Sequence, residues 1–402
     1  MDEQRSTGTS GAGAPRAADG ARSAGAAGAA GGPRIAGAAG TAAGRGGRPV
    51  TGAVTLKQVA AAAEVSLATA SRVLHRSGGR EVRAELAERV QAAAERLGYV
   101  SNPHAQALAR ARSSTVGLIV HEVTDPYFAA IAAGAMHAAH AEGVMVMMAA
   151  TFRDPGLELD YLSRLRAQGA RGVLLAGSAG TDPEAGARLA EAIEAFAREG
   201  GRIAAIGSRP QGTVDAVVPA NAQGAAAALE HLRALGHRRI GVISGPESLL
   251  TVRERVAGLG GPRGRGLRVV ASDFSRQGGY DAARELLDSR RGPVTAIVAL
   301  NDLMAAGVLA AARDSGLDVP GDLSVVGFDD LPFAVDLSPA LTTVALPLHR
   351  MGERAMRLLL DIADDDADDA DAAAAERTTG PRTVEVPAEL IVRASTGPAP
   401  QA

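Results

Sequence analysis

The chain has 402 residues, enough for two or three domains with sizeable cores, and its formal net charge of -3 means that any DNA-binding face would have to be local. Cysteine is absent, which excludes disulfides, zinc-thiolate sites and thiol nucleophiles. No apolar run is long enough to cross a bilayer and the N-terminus lacks the pattern of a secretory signal, so we expect a cytoplasmic protein with no membrane partner.

The first part of the chain, residues 1–52, is rich in glycine and alanine and has almost no large apolar side chains. Such a segment cannot bury enough surface to offset the entropy cost of ordering it, so we predict a disordered tail. Its scattered arginines are able to add nonspecific phosphate contacts, but a plain solvated tail is the favoured interpretation.

Two short helices are predicted next. Thr55 and Gln58 have the spacing of a capping box, so a helix should begin at Leu56. After a short break, Ser66 can cap a second helix that covers Leu67–His75. Two short helices joined by a turn of about three residues form a helix-turn-helix arrangement, although spacing alone fits ordinary bundle packing as well.

A third helix is predicted from about Ala84 to Leu97, with Gly98 where a helix stop is expected. From Thr115 onwards, apolar strands alternate with helices. Continuous apolar strands of this kind imply parallel sheets covered on both faces, so this region is predicted to be α/β. The strand segments are TVGLIV, VMVMMAA, GVLLAG, RIAAIGS, RRIGVISG, LRVVAS, TAIVAL, SVVGF and VEVPAELIV.

Several of these motifs together resemble one family. The segment TLKQVA…VSLATASRVL closely resembles the N-terminal signature of the lactose-repressor (LacI/GalR) family of bacterial transcription regulators. The resemblance continues through EVRAELAERVQAAAERLGY and VSNPHAQALA into the α/β region, and covers about Val54 to Thr396. It implies an α/β fold class in which an N-terminal three-helix helix-turn-helix DNA-binding domain and a hinge helix precede a two-lobed, periplasmic-binding-protein-like, doubly wound core.

The resemblance also implies domain boundaries. The DNA-binding domain is expected at residues 53–99, the hinge at 100–113 and the effector-binding core at 114–396. The chain should cross between the two lobes near Pro219, near Leu341 and within 361–382. Lobe 1 would hold about 114–219 and 342–362. Lobe 2 would hold about 220–341 and 382–396, including the closing strand VEVPAELIV. Residues of about 361–380 would form a solvated acidic insertion.

The DNA contacts that the resemblance implies centre on the second helix, which enters the major groove N-terminus first. Leu67, Ala68 and Arg72 occupy the base-reading positions, and Arg72 can make a bidentate contact to guanine. The alternative for Arg72 is an ordinary surface arginine. The remaining contacts of this domain, which set the register on the phosphates, are expected from Thr55, Ser66, Thr69 and Ser71.

The hinge is expected to become helical only on the operator. In the family, two hinge helices press a leucine into the minor groove and kink the DNA, and counting from Tyr99 and Val116 makes this residue Leu108. His104 is a further candidate for contact with the DNA backbone. The alternative is a plain interdomain linker.

Three positions and one glycine-rich stretch depart from the family pattern. Glu64 stands in the turn where the family usually has glycine or asparagine, and Arg83 replaces the usual Ser/Thr cap of the third helix; each change should cost about 1 kcal/mol. Ala220 stands where an aspartate is common. The glycine-rich stretch at 258–266 replaces part of a helix, which places the wall of the second lobe in doubt.

The effector site is predicted in the cleft between the lobes, because ligands of open α/β sheets bind outside the carboxyl ends of strands. The chain has only 4 Tyr and 6 Phe, yet three of them fall at such ends, where flat aromatic faces suit a sugar ring. Polar residues that suit vicinal hydroxyl groups stand there too, although any one of them alone would more often be a capping or structural residue. By resemblance, the effector-binding positions are Asp125, Tyr127, Phe128, Arg255, Phe274, Asn301 and Asp329.

No catalytic residue, metal site or cofactor is predicted. His137 and His140 lie three apart on a helix without a carboxylate partner motif, which favours surface histidines over metal ligands. The stretch GLGGPRGRG lacks the strand and helix context of a nucleotide loop, and DIADDDADDAD lacks the glycine and final glutamate of a calcium loop.

The predicted function is therefore a sequence-specific transcriptional repressor. A homodimer would bind a palindromic operator in double-stranded DNA, and a small-molecule effector, a carbohydrate, would control that binding. One alternative is a sugar-binding protein without a gene-regulatory role, which the helix-turn-helix and the missing signal peptide disfavour. Another is an enzyme on a doubly wound fold, but TVGLIVHEVTDP has no glycine-rich phosphate loop after the first strand.

Overall fold

The computed structural model describes residues 54–75, 82–99, 114–209, 214–262, 264–288, 292–362 and 380–401. The chain divides into two compact units after Tyr99. The predicted tail, the predicted hinge with His104 and Leu108, and most of the predicted acidic insertion lie outside the described residues.

The N-terminal unit contains the three predicted helices, α1 (Leu56–Ala62), α2 (Leu67–His75) and α3 (Ala84–Leu97). The capping box is present: the Gln58 amide donates to Thr55 Oγ1 at 3.4 Å, and the Thr55 amide donates to Gln58 Oε1 at 2.7 Å. Ser66 caps α2, since its Oγ accepts from the Thr69 amide at 3.1 Å. The helices enclose a small core whose buried members are Val59, Ala60, Ala63, Ala70, Val90, Ala93 and Ala94.

The turn between α1 and α2 keeps the positive φ expected at this position, although glutamate replaces the usual glycine or asparagine. Glu64 adopts φ 52, in the left-handed region that favours glycine. Arg89 from α3 holds the turn by donating to the Ala63 carbonyl at 2.6 Å and to Glu64 Oε2 at 3.3 Å. The second departure also has its expected consequence, because Arg83 precedes α3 without a side-chain capping hydrogen bond.

Replacing Glu64 by glycine should stabilise this unit. Glycine adopts positive φ without the Cβ penalty, so the free energy of unfolding should rise by about 0.5–1 kcal/mol. The lost ion pair with Arg89 is exposed and subtracts little. Chemical denaturation monitored by circular dichroism measures the change. Glu64→Ala is the matched control: it removes the same ion pair but keeps the strain, so a gain equal to that of glycine would contradict the explanation.

The second unit contains two six-stranded sheets flanked by helices. The first sheet has the order β11-β5-β4-β3-β1-β2 and the second β12-β10-β9-β8-β6-β7. Every pairing between these strands is parallel except that of β10 with β12, as the continuous apolar strands predicted. The strands are β1 (Thr115–Val120), β2 (Met145–Ala150), β3 (Gly172–Ala176), β4 (Arg202–Ile206), β5 (Asp215–Pro219), β6 (Ile240–Ser244), β7 (Leu267–Ala271), β8 (Ala296–Ala299), β9 (Ser324–Asp329), β10 (Thr342–Ala345), β11 (Thr383–Val386) and β12 (Glu389–Ile391).

The helices of this unit lie between the strands and cover the faces of the sheets. They are α4 (Pro126–Ala141), α5 (Pro155–Ala167), α6 (Pro183–Arg198), α7 (Asn221–Ala234), α8 (Leu250–Gly258), α9 (Arg276–Leu287), α10 (Asp302–Asp314) and α11 (Leu348–Leu360), with a short 3-10 helix at Pro332–Val335. The helices α4 and α11 pack against each other at close range. A Cβ added to Gly134 would overlap the His349 carbonyl, and one added to Gly352 would overlap the Ile131 carbonyl, so this approach requires glycine on both helices.

Two of the three predicted crossings between the lobes are wrong. The first agrees, because β5 ends at Pro219 and α7 packs on the second sheet. The second lies after Ala345 rather than near Leu341, since β10 pairs with β9 in the second sheet, so 342–345 belong to lobe 2. The chain returns to the first lobe at Leu346 and Pro347, and α11 then packs on that lobe.

The third crossing lies at residues 387–388, not within 361–382. The segment VEVPAELIV is not one strand of the second lobe: β11 pairs with β5 in the first sheet, and β12 pairs antiparallel with β10 in the second. Pro387 separates them, because proline has no amide hydrogen to continue a strand ladder.

Candidate functional site

All seven residues predicted for effector binding line one cavity between the two sheets, here called the cleft cavity. They reach it from the carboxyl ends of strands in both lobes. Asp125, Tyr127 and Phe128 lie at the start of α4 in lobe 1, and Phe274 lies in the loop after β7 in lobe 2. Asp329 ends β9, Asn301 precedes α10 and Arg255 lies on α8. Other side chains that line it include His121 and Arg153, which the sequence analysis did not single out.

Arg255 forms the polar centre of the cleft cavity. Its side chain is buried, and its Nε donates to Asn221 Oδ1 at 2.9 Å. One terminal nitrogen donates to the Leu300 carbonyl, and the other donates to Asp329 Oδ1 at 3.2 Å. The guanidinium lies 3.7 Å from the centre of the Phe328 ring. Burial raises the pKa of the Asp329 carboxyl, and the charge of Arg255 opposes that rise.

Asn301 and Asp125 both have structural hydrogen bonds. Asn301 caps α10, accepting from the Met304 amide at 2.8 Å, and its Nδ2 donates to the Phe274 carbonyl at 3.1 Å. Asp125 caps α4 by accepting from the Tyr127 amide at 2.9 Å. Asn301 and Asp125 are therefore helix-capping residues, and their side chains also line the cavity.

Aromatic side chains form the walls of the cleft cavity. The rings of Tyr127 and Phe128 meet edge to face with centroids 5.0 Å apart, and the ring of His121 lies 5.7 Å from Phe128. Burial lowers the pKa of His121 to about 4, so this imidazole is neutral at physiological pH. Phe274 belongs to the other lobe and adopts φ 65, held by the hydrogen bond from Asn301.

Arg153 reaches across the cleft from the first lobe, with its guanidinium 5.7 Å from the Phe274 ring centre. It forms no ion pair with another described residue, and its Nε is buried without a hydrogen-bond partner. Phe152 and Arg153 adopt φ 51 and 62, and strained backbone of this kind concentrates at functional sites. Neither phenylalanine nor arginine is a residue type that signals positive φ, so the motif TFRDP does not indicate this turn.

A second, larger cavity opens beside the first and is here called the side cavity. It lies between α6, the start of α5 and the loop after β6, and it shares His121, Arg153, Ser178 and Leu249 with the cleft cavity. Its polar wall contains the Arg209–Glu158 ion pair, in which Arg209 Nη2 lies 2.9 Å from Glu158 Oε1. No sequence pattern marked this cavity.

Loops of the two lobes touch directly beside these cavities. The Thr181 amide donates to the Ser248 carbonyl at 2.8 Å, and the Thr251 amide donates to Ser178 Oγ at 3.0 Å. Glu254 accepts from Ser208 Oγ at 2.6 Å and from Asn221 Nδ2 at 2.9 Å. The lobes are therefore closed on each other in this structure.

The two departures from the family pattern in the core leave Arg255 in place. Ala220 precedes α7 without a side-chain cap, so that helix start lacks the hydrogen bond an aspartate would supply. The helix α8 ends at Gly258, where a Cβ would overlap the Ala222 carbonyl, and glycine lets α8 lie close to α7. The glycine-rich stretch therefore follows Arg255 without displacing it.

The predicted base-reading residues occupy the N-terminal half of α2. Leu67 is 53% exposed and Ala68 is exposed, while Arg72 is half-buried. An exposed leucine in the first turn of a helix has no role in the core of this unit and remains free for an apolar contact. The side chains predicted for phosphate contact are exposed at Thr55 and Ser66 and half-buried at Thr69 and Ser71.

Within the described part of the chain, no group of three or more histidine, aspartate or glutamate side chains is arranged to hold a metal ion. His137 and His140 are both exposed, and the ring centroids of His137 and His349 lie 6.2 Å apart. None of the helices described here combines the length and apolarity needed to cross a membrane.

Comparisons with known proteins agree with this arrangement. Residues 55–102 match the family described as bacterial regulatory proteins, lacI family, and residues 229–396 match the periplasmic binding protein-like domain. The transcriptional regulator DegA of Bacillus subtilis is 31% identical over 352 residues, which span 86% of this chain and 98% of DegA.

Two solved structures show the same architecture with ligands. The lac repressor dimer bound to operator and the anti-inducer ONPF is 26% identical, with a TM-score of 0.71 over 86% of this chain and 100% of that one. The complex of the regulator CelR with cellobiose is 32% identical, with a TM-score of 0.59 over 85% of this chain and 99% of that one.

Proposed function

We propose that this chain, which belongs to the lacI family of bacterial regulatory proteins, is a homodimeric repressor whose binding to a palindromic operator is controlled by a carbohydrate. The family assignment makes it a DNA-binding transcriptional regulator and not an enzyme. The observation that carries the proposal is the combination of a helix-turn-helix unit with a cavity that all seven predicted effector residues line.

The proposed DNA contacts come from α2. Arg72 would contact a guanine, and Leu67 and Ala68 would make apolar contacts, for example to a thymine methyl group. Thr55, Ser66, Thr69 and Ser71 would contact phosphates and set the register. Intercalation of Leu108 and a backbone contact from His104 stay predictions from the sequence, since both residues lie outside the described ranges.

A neutral, hydroxyl-rich ligand suits the cleft cavity. The charge of Arg255 is matched by Asp329, and burial keeps His121 uncharged. Asp125 and Arg153 are the other two charged groups among its lining residues, and they have opposite signs. Three aromatic rings beside hydrogen-bonding side chains favour a sugar, and the relative CelR was solved with cellobiose.

The proposed dimer has a candidate contact surface on β2. Among the described strands, β2 forms the edge of the first sheet and pairs with β1. It exposes Met145 (61%), Met147 (37%) and Met148 (46%), and Met136 on α4 is 38% exposed. Exposed apolar clusters on an edge strand commonly mark protein contacts, and the lac repressor neighbour was solved as a dimer.

Introducing charge on this surface should weaken the dimer. Met145 and Met147 are two residues apart on β2, so their side chains lie on the same face of the sheet. In a symmetric dimer, a glutamate at each position in both subunits would bring four negative charges together. We expect Met145→Glu/Met147→Glu to sediment as a monomer at micromolar concentration in analytical ultracentrifugation. Val392→Glu, which charges another exposed apolar position, should sediment like the unmodified protein. A dimer in both variants would contradict this contact surface.

Footprinting tests the regulatory function. Purified protein is used to capture fragments of the source genome, and the captured fragments are footprinted at a stated salt concentration, because phosphate contacts make affinity salt-dependent. A protected near-palindrome of two half-sites supports the proposal. Binding that stays uniform along every fragment, with or without added sugars, would contradict it.

A further inference from the structure

A third cavity lies in lobe 2 and is here called the outer cavity. It is bounded by α8, the end of β6, the strand β7 and the glycine-rich stretch that follows α8, and none of its described lining residues lines the cleft cavity or the side cavity. Its volume is about 260 Å³. An apolar cavity of about 150 Å³ is enough to hold benzene, so the outer cavity has room for a molecule with one ring.

The outer cavity follows from the early end of α8. This helix ends at Gly258, and the glycine-rich stretch at 258–266 continues the chain where the family pattern predicts more helix. Strands of a parallel sheet are usually covered on both faces. All five residues of β6 are buried, but none of those of β7 is, and Val269 of β7 lines the cavity. The shortened cover therefore leaves a space over β7.

The walls of this space are mainly apolar. Ser244, at the end of β6, is the exception: it is 1% exposed, and its Oγ is buried with no hydrogen-bond partner among the described residues. A buried hydroxyl without a partner costs stability, and a ligand hydroxyl can satisfy it because serine both donates and accepts. The apolar members of the walls are Val252, Val256, Ala257, Pro262 and Val269.

The two charged side chains at the outer cavity have opposite signs. Glu247 and Arg253 are both exposed, and Arg253 donates to the Glu247 carbonyl and to Thr181 Oγ1, each at 3.1 Å. An occupant therefore meets no net charge, several apolar side chains and one buried hydroxyl. A neutral ring with one hydroxyl group matches this lining better than a sugar, because most hydroxyl groups of a sugar would lose their hydrogen bonds to water without a replacement.

We propose that the outer cavity is a second ligand site, which takes an uncharged one-ring molecule with a single hydroxyl group, such as a phenol or an aromatic alcohol. The helix α8 couples this site to the cleft, because Arg255 lines the cleft cavity and the next residue, Val256, lines the outer cavity. Arg253 also reaches Thr181 in lobe 1, so a ligand packed beside Arg253 favours the closed lobes. Binding at this site is independent of the proposed function, whereas its effect on sugar binding rests on that function.

The first measurement is a ligand-observed NMR titration of the full-length protein with phenol, benzyl alcohol, toluene and benzoate. We expect phenol and benzyl alcohol to bind with a Kd of about 1 mM or less, which is within reach of ligands of this size. Benzoate should bind at least tenfold more weakly, because burying its carboxylate is costly. Absence of binding by both alcohols, or benzoate binding as tightly as benzyl alcohol, would contradict the proposal.

Two serine variants locate the bound hydroxyl group. Ser244→Ala should lower benzyl alcohol affinity by about threefold to tenfold, the effect of one neutral hydrogen bond, and should leave toluene affinity unchanged. Ser272→Ala is the matched control, because Ser272 Oγ is also buried without a described partner but does not line the outer cavity. Equal benzyl alcohol affinity in the two variants would place the ligand elsewhere.

Filling the cavity gives an independent test. Ala257 lines the outer cavity and is exposed, so Ala257→Leu narrows the space with little risk to the fold, and it should weaken phenol, benzyl alcohol and toluene by at least tenfold. Ala187→Leu makes the same change at an exposed position of α6 that lines none of the three cavities, and it should bind like the unmodified protein. Unchanged binding in Ala257→Leu would contradict the site.

The coupling is measured by isothermal titration of a sugar effector with and without saturating benzyl alcohol. Sugar affinity should rise at least threefold in the unmodified protein and stay constant in Ala257→Leu. If benzyl alcohol binds and sugar affinity does not change, the coupling is wrong. If neither alcohol binds, the second site is wrong and the proposed function stands. If the alcohols bind as expected and no sugar does, the carbohydrate part of the proposed function fails while the second site stands.

Discussion

Arg255→Ala is expected to destabilise the second unit by about 3–5 kcal/mol and to abolish sugar binding. The substitution leaves Asp329 buried without its partner, and an uncompensated buried charge costs far more than the net contribution of the pair. It also removes the donors to Asn221 and to the Leu300 carbonyl, and the cation–π contact with Phe328. Urea denaturation gives the stability change, and isothermal titration gives the binding change.

A double substitution separates the cost of the unpaired charge from that of the lost packing. Arg255→Met/Asp329→Asn removes both charges while keeping similar volumes, so it should recover most of the lost stability but not the sugar binding. If Arg255→Ala unfolds at the same urea concentration as the unmodified protein, Arg255 does not hold the centre of the cleft cavity.

Arg72→Ala is expected to lower operator affinity by about 10–100-fold, because a bidentate contact to guanine contributes about 1–3 kcal/mol of discrimination. Affinity for unrelated DNA should change much less, so the ratio of specific to nonspecific affinity should fall. Fluorescence anisotropy with both duplexes at one salt concentration gives that ratio.

Arg96→Ala is the control for this experiment. It removes the same charge from the last turn of α3, outside the recognition helix, and should preserve the specificity ratio. An Arg72→Ala protein that still discriminates its operator as well as Arg96→Ala does would show that Arg72 is an ordinary surface arginine.

The features that the sequence predicted correctly are those with a local physical cause. The spacing of Thr55 and Gln58 placed the start of α1, and Gly98, at φ 64, ends α3 where expected. Glu64 adopts the positive φ that its position in the turn implied. The apolar strands indicated parallel sheets because strands buried on both faces have no polar alternation.

The features that the sequence missed depend on contacts between distant segments. Pairing partners decide where VEVPAELIV divides, and only Pro387 hinted that it was two strands. Arg153 was missed because its importance comes from a strained backbone and from Phe274 in the other lobe. The side cavity is a space between α5, α6 and the loop after β6, and no single segment encodes it.

The central claim is that a sugar in the cleft controls DNA binding by the helix-turn-helix unit. The most direct test measures operator affinity by fluorescence anisotropy with and without a saturating sugar identified by titration. The account predicts a change of at least tenfold with the unmodified protein and no change with Arg255→Met/Asp329→Asn, which should retain its fold and bind no sugar. Equal operator affinity with and without a sugar that demonstrably binds would contradict it.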